Sequence, residues 1–310
     1  MQCAGASNVI KPPQMGHQEA QGYRKRGRGR KEEGRIQSTI FAALQLAWFP
    51  VFIPIAGRSI HPHTFFESLG YATAFVIFLM LRYRSGDPLP YPVRWATLAA
   101  AFAGGTLGSK LLYWLEDPPL TLQHLRDPAY LIGGKTIVGA LLGGLFAVEV
   151  MKRYIGLHQS TGDLLAIPVA AGIAIGRIGC FLTGLSDNTY GTPTGLPWGV
   201  DFGDGVRRHP TQLYEAAFLL ILIAILARFQ RLTKSRTSTD QGPTTRFHPG
   251  DAFKAFMVGY LAFRLFCDFI KPYPRIALGL GTIQWACVLG LLYYSPDLLR
   301  WTRRLPERRS

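Results

Sequence analysis

Apolar residues in this chain come in long blocks separated by short polar loops, and the block length matches the thickness of a bilayer. Seven blocks can be drawn, at 66–82, 95–114, 131–151, 163–182, 210–228, 251–270 and 279–297, each close to the roughly 20 helical residues that cross about 30 Å of hydrocarbon. An eighth, 38–57, carries Pro50 and Pro54 in its second half, where proline removes a helical donor and kinks or breaks the helix. The predicted fold is an all-α, polytopic membrane helix bundle of seven or eight transmembrane helices. The same pattern divides the chain into a basic N-terminal tail (1–37), a membrane-associated lead-in segment (38–65), a transmembrane domain (66–298) and a basic C-terminal tail (299–310).

Composition agrees, and charge gives the bundle a direction. With 48% hydrophobic residues and a mean hydropathy of +0.13, the chain is too apolar for an ordinary soluble domain of its length. Its net charge of +15 is concentrated at Arg82, Arg84 and Arg94, at Lys152 and Arg153, at Arg228, Arg231, Lys234, Arg236 and Arg246, and at Arg300, Arg303, Arg304, Arg308 and Arg309. These clusters fall on alternate loops. The positive-inside rule makes those loops and the C-terminus cytoplasmic and places 115–130, 184–209 and 271–278 outside. The tail around Arg24-Lys25-Arg26, Arg28, Arg30 and Lys31 is too poor in apolar residues to bury a core. Its charge suits anionic lipid headgroups rather than nucleic acid, and held inside it favours a crossing by 38–57. Residues 1–35 have no apolar core of signal-peptide length. Cys3, Cys180, Cys267 and Cys287 have no spacing of a disulfide framework or a zinc site; they are predicted as small apolar fillers.

Four constellations place polar chemistry at the ends of these apolar blocks, where a charged group needs a partner or a task. His209-Pro210-Thr211-Gln212-Leu213-Tyr214-Glu215 opens the fifth block: Pro210 suits a first helical turn, and Gln212 and Glu215 share a face with His209 at the entrance. Arg177-Ile178-Gly179-Cys180, followed by Gly184, ends the fourth block. Burying arginine at a bilayer centre costs on the order of 3 kcal/mol, so Arg177 is expected to face the bundle interior or an anionic ligand, its guanidinium fork matching phosphate or carboxylate; snorkelling to the interface is the alternative. Tyr260, Arg264, Asp268 and Lys271 fall at spacings of four, four and three, one stripe of a single helix, although an Arg264–Asp268 pair could simply neutralise itself. Gly133 to Gly144, with Lys135 near its start, permits close approach of a helix or a lipid. Its Gly-Lys-Thr triplet lacks the upstream glycine of a phosphate-binding loop.

In order and approximate spacing, these residues resemble the bacterial prolipoprotein diacylglyceryl transferases. The resemblance runs from about 66 to 297 and rests on Gly133–Gly144, Arg177-Ile178-Gly179 with Gly184, His209–Glu215, Tyr260 with Arg264, and the Gly-Thr-Ile-Gln run ending at Gln284. It implies a seven-helix inner-membrane enzyme with its site toward the periplasmic face. Such an enzyme moves the diacylglyceryl group of phosphatidylglycerol to the lipobox cysteine of a prolipoprotein, releases glycerol phosphate, and uses no metal or organic cofactor. By the same resemblance Arg177 and Arg264 hold phosphate, while Tyr260, Gln212 and Glu215 orient the headgroup or the arginines. Asp268 and Lys271 stand where the family has glutamate and arginine, and Lys135, Gly184 and Asp187 belong to the substrate side.

The chain departs from the family pattern on its acid–base side. Val138 stands where the family carries a histidine, Cys180 where it carries asparagine, Phe66 where it carries tyrosine and Leu185 where it carries an acid, with Asp187 two positions on. Proton removal from a thiol then falls to His209, Asp187 or Glu215. Two further functions stay open: a membrane transferase with another acceptor, selected by the loop from Asp187 to Asp204, and a noncatalytic phospholipid-binding protein.

Overall fold

In the computed structural model of the chain, the described residues are 49–55, 57–237 and 248–303. The N-terminal tail, residues 38–48 and 56 of the lead-in segment, Arg246 and the end of the C-terminal tail lie outside them. The described part of the lead-in segment forms a short antiparallel hairpin, β1 (Ile53–Ile55) with β2 (Arg58–Ile60).

The rest is mostly helical. Pro62 stands at the first turn of α1 (Pro62–Ser85), where its missing N–H costs nothing, and Gly86 ends the helix at φ 72°. Next come α2 (Tyr91–Glu116) and two single-turn-scale helices, α3 (Pro118–Gln123) and α4 (Pro128–Gly133). Asp117 and Asp127 cap these two with their carboxylates. Then follow α5 (Ile137–Tyr154), α6 (Asp163–Thr183), a 3-10 turn at Gly184–Asp187, and a second hairpin of β3 (Val200–Asp201) and β4 (Arg207–Arg208). The chain continues through α7 (Thr211–Thr237), α8 (Asp251–Cys267), a 3-10 turn at Asp268–Ile270, α9 (Thr282–Tyr293) and α10 (Ser295–Arg303).

Among the described residues, three stretches are long and apolar enough to cross a membrane: Pro62–Ser85, Asp163–Asp187 and Thr211–Arg228. The other predicted blocks also become helical, with interruptions the apolar pattern conceals. The 131–151 block breaks after Gly133, because Lys110 Nζ takes the carbonyls of Ile132 and Gly134, the Thr136 N–H bonds Ser109, and Tyr113 packs on Gly134. The 251–270 helix tightens at Asp268, and the last block divides into α9 and α10.

Helix packing explains the glycines. A Cβ at Gly108, Gly139 or Gly143 would overlap a carbonyl of the facing helix, so α2 and α5 meet backbone to backbone in the manner of small-residue membrane pairs. The Gly133–Gly144 motif is thus helix-packing surface over its second half. α1 makes a similar approach to α6 through Gly70 and Gly172. On α7 the two faces separate sharply: Leu219, Leu222 and Leu226 are buried, whereas Leu220, Ile221 and Ile225 are exposed, the pattern of a helix with lipid on one side.

The basic end of the bundle is tied by charge. Asp87 receives Arg94 through Nε and Nη2 and pairs with Arg82, while Arg94, itself fully buried, donates to the Thr161 carbonyl across to the α5–α6 loop. Asp163 reaches from the start of α6 to the N–H groups of Gly250, Ala252 and Phe253 and so caps α8. Burial alone would raise the Asp87 carboxyl; the Arg94 hydrogen bonds outweigh it and hold the group below the ordinary carboxylate range. Its stabilisation is therefore present above that range and disappears as pH falls below about 4. Asp87→Ala, which strands a buried guanidinium, is expected to cost about 3 kcal/mol. Thermal unfolding in detergent should show a drop at neutral pH that shrinks toward pH 3; an unchanged midpoint at pH 7 would remove Asp87 from this role.

Candidate active site

Three side chains from two helices meet around one carboxylate on a third. Glu215, on the second turn of α7, has no exposed surface. Arg177 Nε of α6 lies 2.9 Å from its Oε1, and Arg264 Nη1 of α8 lies 3.1 Å from its Oε2. The Tyr260 hydroxyl, one turn before Arg264, donates to Oε1 at 2.6 Å. Arg264 Nη2 also reaches Asp268 at 2.8 Å, and the buried Lys271 ammonium stands 3.9 Å from the same carboxylate. The helical stripe expected from Tyr260 to Lys271 thus converges, although its last two members sit on the 3-10 turn and beyond. Loss of hydration pulls Lys271 down to about 8, with the Arg264 charge acting in the same direction.

Local chemistry explains how α7 arrives there. His209 donates its backbone N–H to Thr192 and accepts from Gly191, and the Thr211 hydroxyl donates to the Thr189 carbonyl at 2.6 Å. These bonds clamp the start of α7 to the loop that leaves α6. The His209 ring turns to the Tyr214 phenol at 3.2 Å, which also accepts from the Trp198 indole at 2.8 Å. His209 is absent from the lining of the main cavity, and its contacts here are those of a helix-start anchor. Gln212 is buried one turn before Glu215, and neither of its amide atoms has a hydrogen-bond partner among the described residues. Gly184 turns the chain at φ 73° and ψ −136°, with Phe49 against its Cα.

Arg177 and Arg264 line a cavity of about 1750 Å³ that also touches α1, α2 and α5. Pockets for small ligands hold roughly 300–1,000 Å³, so this one has the scale of a two-chain lipid. Val138 lines it and is 1% exposed, placing an apolar group on the wall. Lys135 lines it too and is paired with Glu67. Phe66 packs against Gly179 and Phe65.

A second polar group on the same wall was not visible in the sequence. His63 Nδ1 of α1 lies 2.8 Å from Asp187 Oδ1, and its Nε2 lies 3.5 Å from Glu67. Cys180 Sγ stands 4.0 Å from His63 Nδ1 and 3.6 Å from Arg177 Nη1. Cys180 is therefore no apolar filler, unlike Cys287, which is buried in the apolar cluster; Cys267 is also buried. The available signal was His63 with Glu67, four residues apart at the mouth of an apolar block, where ionisable groups are costly.

The fold and this geometry define a helical membrane protein in which two buried arginines from different helices face a lipid-sized cavity. The family model for prolipoprotein diacylglyceryl transferase matches residues 50–295. Three curated relatives carry the name phosphatidylglycerol–prolipoprotein diacylglyceryl transferase. The one from Methylococcus capsulatus is 31% identical over 265 residues, covering 81% of this chain and 91% of its own. That from Nitrosomonas europaea is 34% identical over 227 residues, 67% and 75% of the two chains, and that from Bordetella avium 32% over 253 residues, 76% and 90%. The chain belongs to the prolipoprotein diacylglyceryl transferase family.

Because Glu215 compensates two buried guanidiniums, its removal is the most damaging single truncation at this site. Glu215→Ala is expected to destabilise the protein by about 3–5 kcal/mol, and Glu215→Gln, which keeps an acceptor, by less. Thermal unfolding in detergent without added lipid separates the two; equal midpoints for Glu215→Ala and the native chain would contradict the clamp.

Proposed function

We propose that the protein transfers the diacylglyceryl group of phosphatidylglycerol to the cysteine thiol of a prolipoprotein, in the bacterial inner (plasma) membrane. Seven helices cross the membrane in this reading. The end that carries Arg82, Arg94, Lys152 and Arg300 is cytoplasmic by charge, so the loop before α7 and the one after α8 set the site toward the periplasmic face.

The observation that carries the reading is the meeting of Arg177, Glu215 and Arg264 at the wall of a lipid-sized cavity. In the reaction the acceptor sulfur attacks the terminal glycerol carbon of the diacylglyceryl group, and the bond from that carbon to the phosphate oxygen breaks. The phosphate diester carries one negative charge; the departing monoester gains a second. Cations fixed beside that oxygen before the reaction stabilise the growing charge without reorganising. Arg177 and Arg264, which both line the cavity, supply the two guanidiniums for this task. Glu215, Tyr260 and Asp268 hold the two forks in place, Lys135 and Asp187 line the substrate cavity, and Gln212, Gly184 and Lys271 support it from behind that lining. A transferase for another acceptor is favoured by one observation alone, the apolar Val138 on the cavity wall.

The test is an assay in membranes with labelled phosphatidylglycerol and a lipobox peptide. Peptide labelling and glycerol phosphate release should both appear with the native chain and fall by about 100-fold or more in Arg177→Ala and Arg264→Ala. Lipid binding that depends on the arginines, without labelling, would move the function to another acceptor or to lipid binding alone.

A further inference from the structure

The groups around His63 converge from three positions far apart in sequence, and their chemistry is that of a metal site. His63 Nδ1, Cys180 Sγ and a carboxylate oxygen of Asp187 all lie within 4.8 Å of one another. Nitrogen, thiolate and carboxylate oxygen are the donors zinc takes, at about 2.0–2.3 Å. Asp187 Oδ1 at 2.8 Å and Cys180 Sγ at 4.0 Å both approach the same nitrogen of His63. A central cation satisfies all three donors at once, and the Nδ1–Oδ1 separation then opens to about 3.2 Å, close to a tetrahedral edge.

Each of the three also has an outer partner that orients it. Glu67 stands against the far ring nitrogen of His63 and is held in turn by Lys135 and by the Tyr71 hydroxyl at 3.3 Å. The Thr189 hydroxyl donates to Asp187 Oδ2 at 2.6 Å, leaving Oδ1 toward His63. Arg177 Nη1 approaches the sulfur of Cys180 at 3.6 Å. A carboxylate behind a ligating imidazole, and hydrogen bonds behind the other ligands, are the usual support of a metal centre. All three donors line the cavity, so the fourth coordination position opens into it, as in catalytic rather than structural zinc sites.

We propose that His63, Cys180 and Asp187 bind a zinc ion whose open position takes the acceptor thiol. Binding to the cation releases the thiol proton to water. The resulting sulfur forms the carbon–sulfur bond as the carbon–oxygen bond to phosphate breaks, and that electron pair stays on the phosphate oxygen beside Arg177. The site thereby supplies thiol activation next to a wall where Val138 can accept no proton. Metal binding stands by itself; the role in thiol activation rests on the proposed transfer.

The experiment uses the full chain purified in detergent, loaded with zinc alone and dialysed against a weak chelator. About one zinc per chain is expected in the native protein and in Cys267→Ala, and less than about a tenth of that in Cys180→Ser and His63→Phe. His63→Cys, which keeps a donor atom, should recover binding, a rescue that a misfolded chain cannot give. Cobalt(II) in place of zinc should give the native chain a near-ultraviolet sulfur-to-metal band that Cys180→Ser lacks. A native chain that retains no zinc, or one whose zinc and cobalt band survive in Cys180→Ser and His63→Phe, overturns the site. Stripping the metal should lower peptide labelling at least about tenfold, with recovery on adding zinc. Labelling that persists in metal-free protein overturns the role in thiol activation, whereas bound zinc without any labelling keeps the site and removes the transferase.

Discussion

A carboxylate with no exposed surface, inside a bundle of apolar helices, persists only if cations come to it, and Glu215 draws them from two sides. Arg177 approaches from α6 and Arg264 from α8. Each of the three charges would be expensive alone in such surroundings. Together they fix the relative depth and rotation of three helices, because moving any one of them leaves a charge without its partner. The backbone clamp from Thr189, Gly191 and Thr192 to the start of α7 serves the same end, setting Glu215 at the height where both guanidiniums reach it. Packing elsewhere is compatible with this constraint: small residues let α2 meet α5 and α1 meet α6 backbone to backbone.

Much of the fold was legible because lipid leaves a strong imprint on sequence. Each of the seven blocks contains helix, and the charge alternation places the basic residues Arg82, Arg94 and Arg300 at one end of the bundle through partners that cross between loops. Helix interruptions were not legible. The break after Gly133 depends on Lys110, more than 20 residues earlier, and hydropathy averages such partners away. The end of α8 at Cys267 was hidden for a similar reason, since the groups that hold the next turn come from Arg275 and Gln284.

The site divides along the same line. Arg177, Glu215, Tyr260 and Arg264 were readable because ionisable and phenolic groups at helical spacing in apolar blocks have few harmless explanations. His209 shared their motif but serves the backbone of the turn and the Tyr214 phenol. Cys180 and His63 were misread or missed because each is unremarkable in isolation: a buried cysteine is common, and a histidine in the first turn of a helix is usually a surface residue or an anchor. Only the approach of α1 to α6, with Gly179 against Phe66, brings the imidazole over the thiol.

Geometry also shows why one half of such a site can change while the other stays. The two arginines and Glu215 are locked by mutual neutralisation, so replacing one requires replacing the others together. A group that handles a proton faces the cavity and answers to no such network; Val138 fills its position with an apolar side chain and leaves the arginine cluster undisturbed. The cluster of His63, Cys180 and Asp187 lines the same wall, with Cys180 a single helical turn from Arg177, so in the proposed reaction the sulfur can be handled there while the phosphate stays with the arginines.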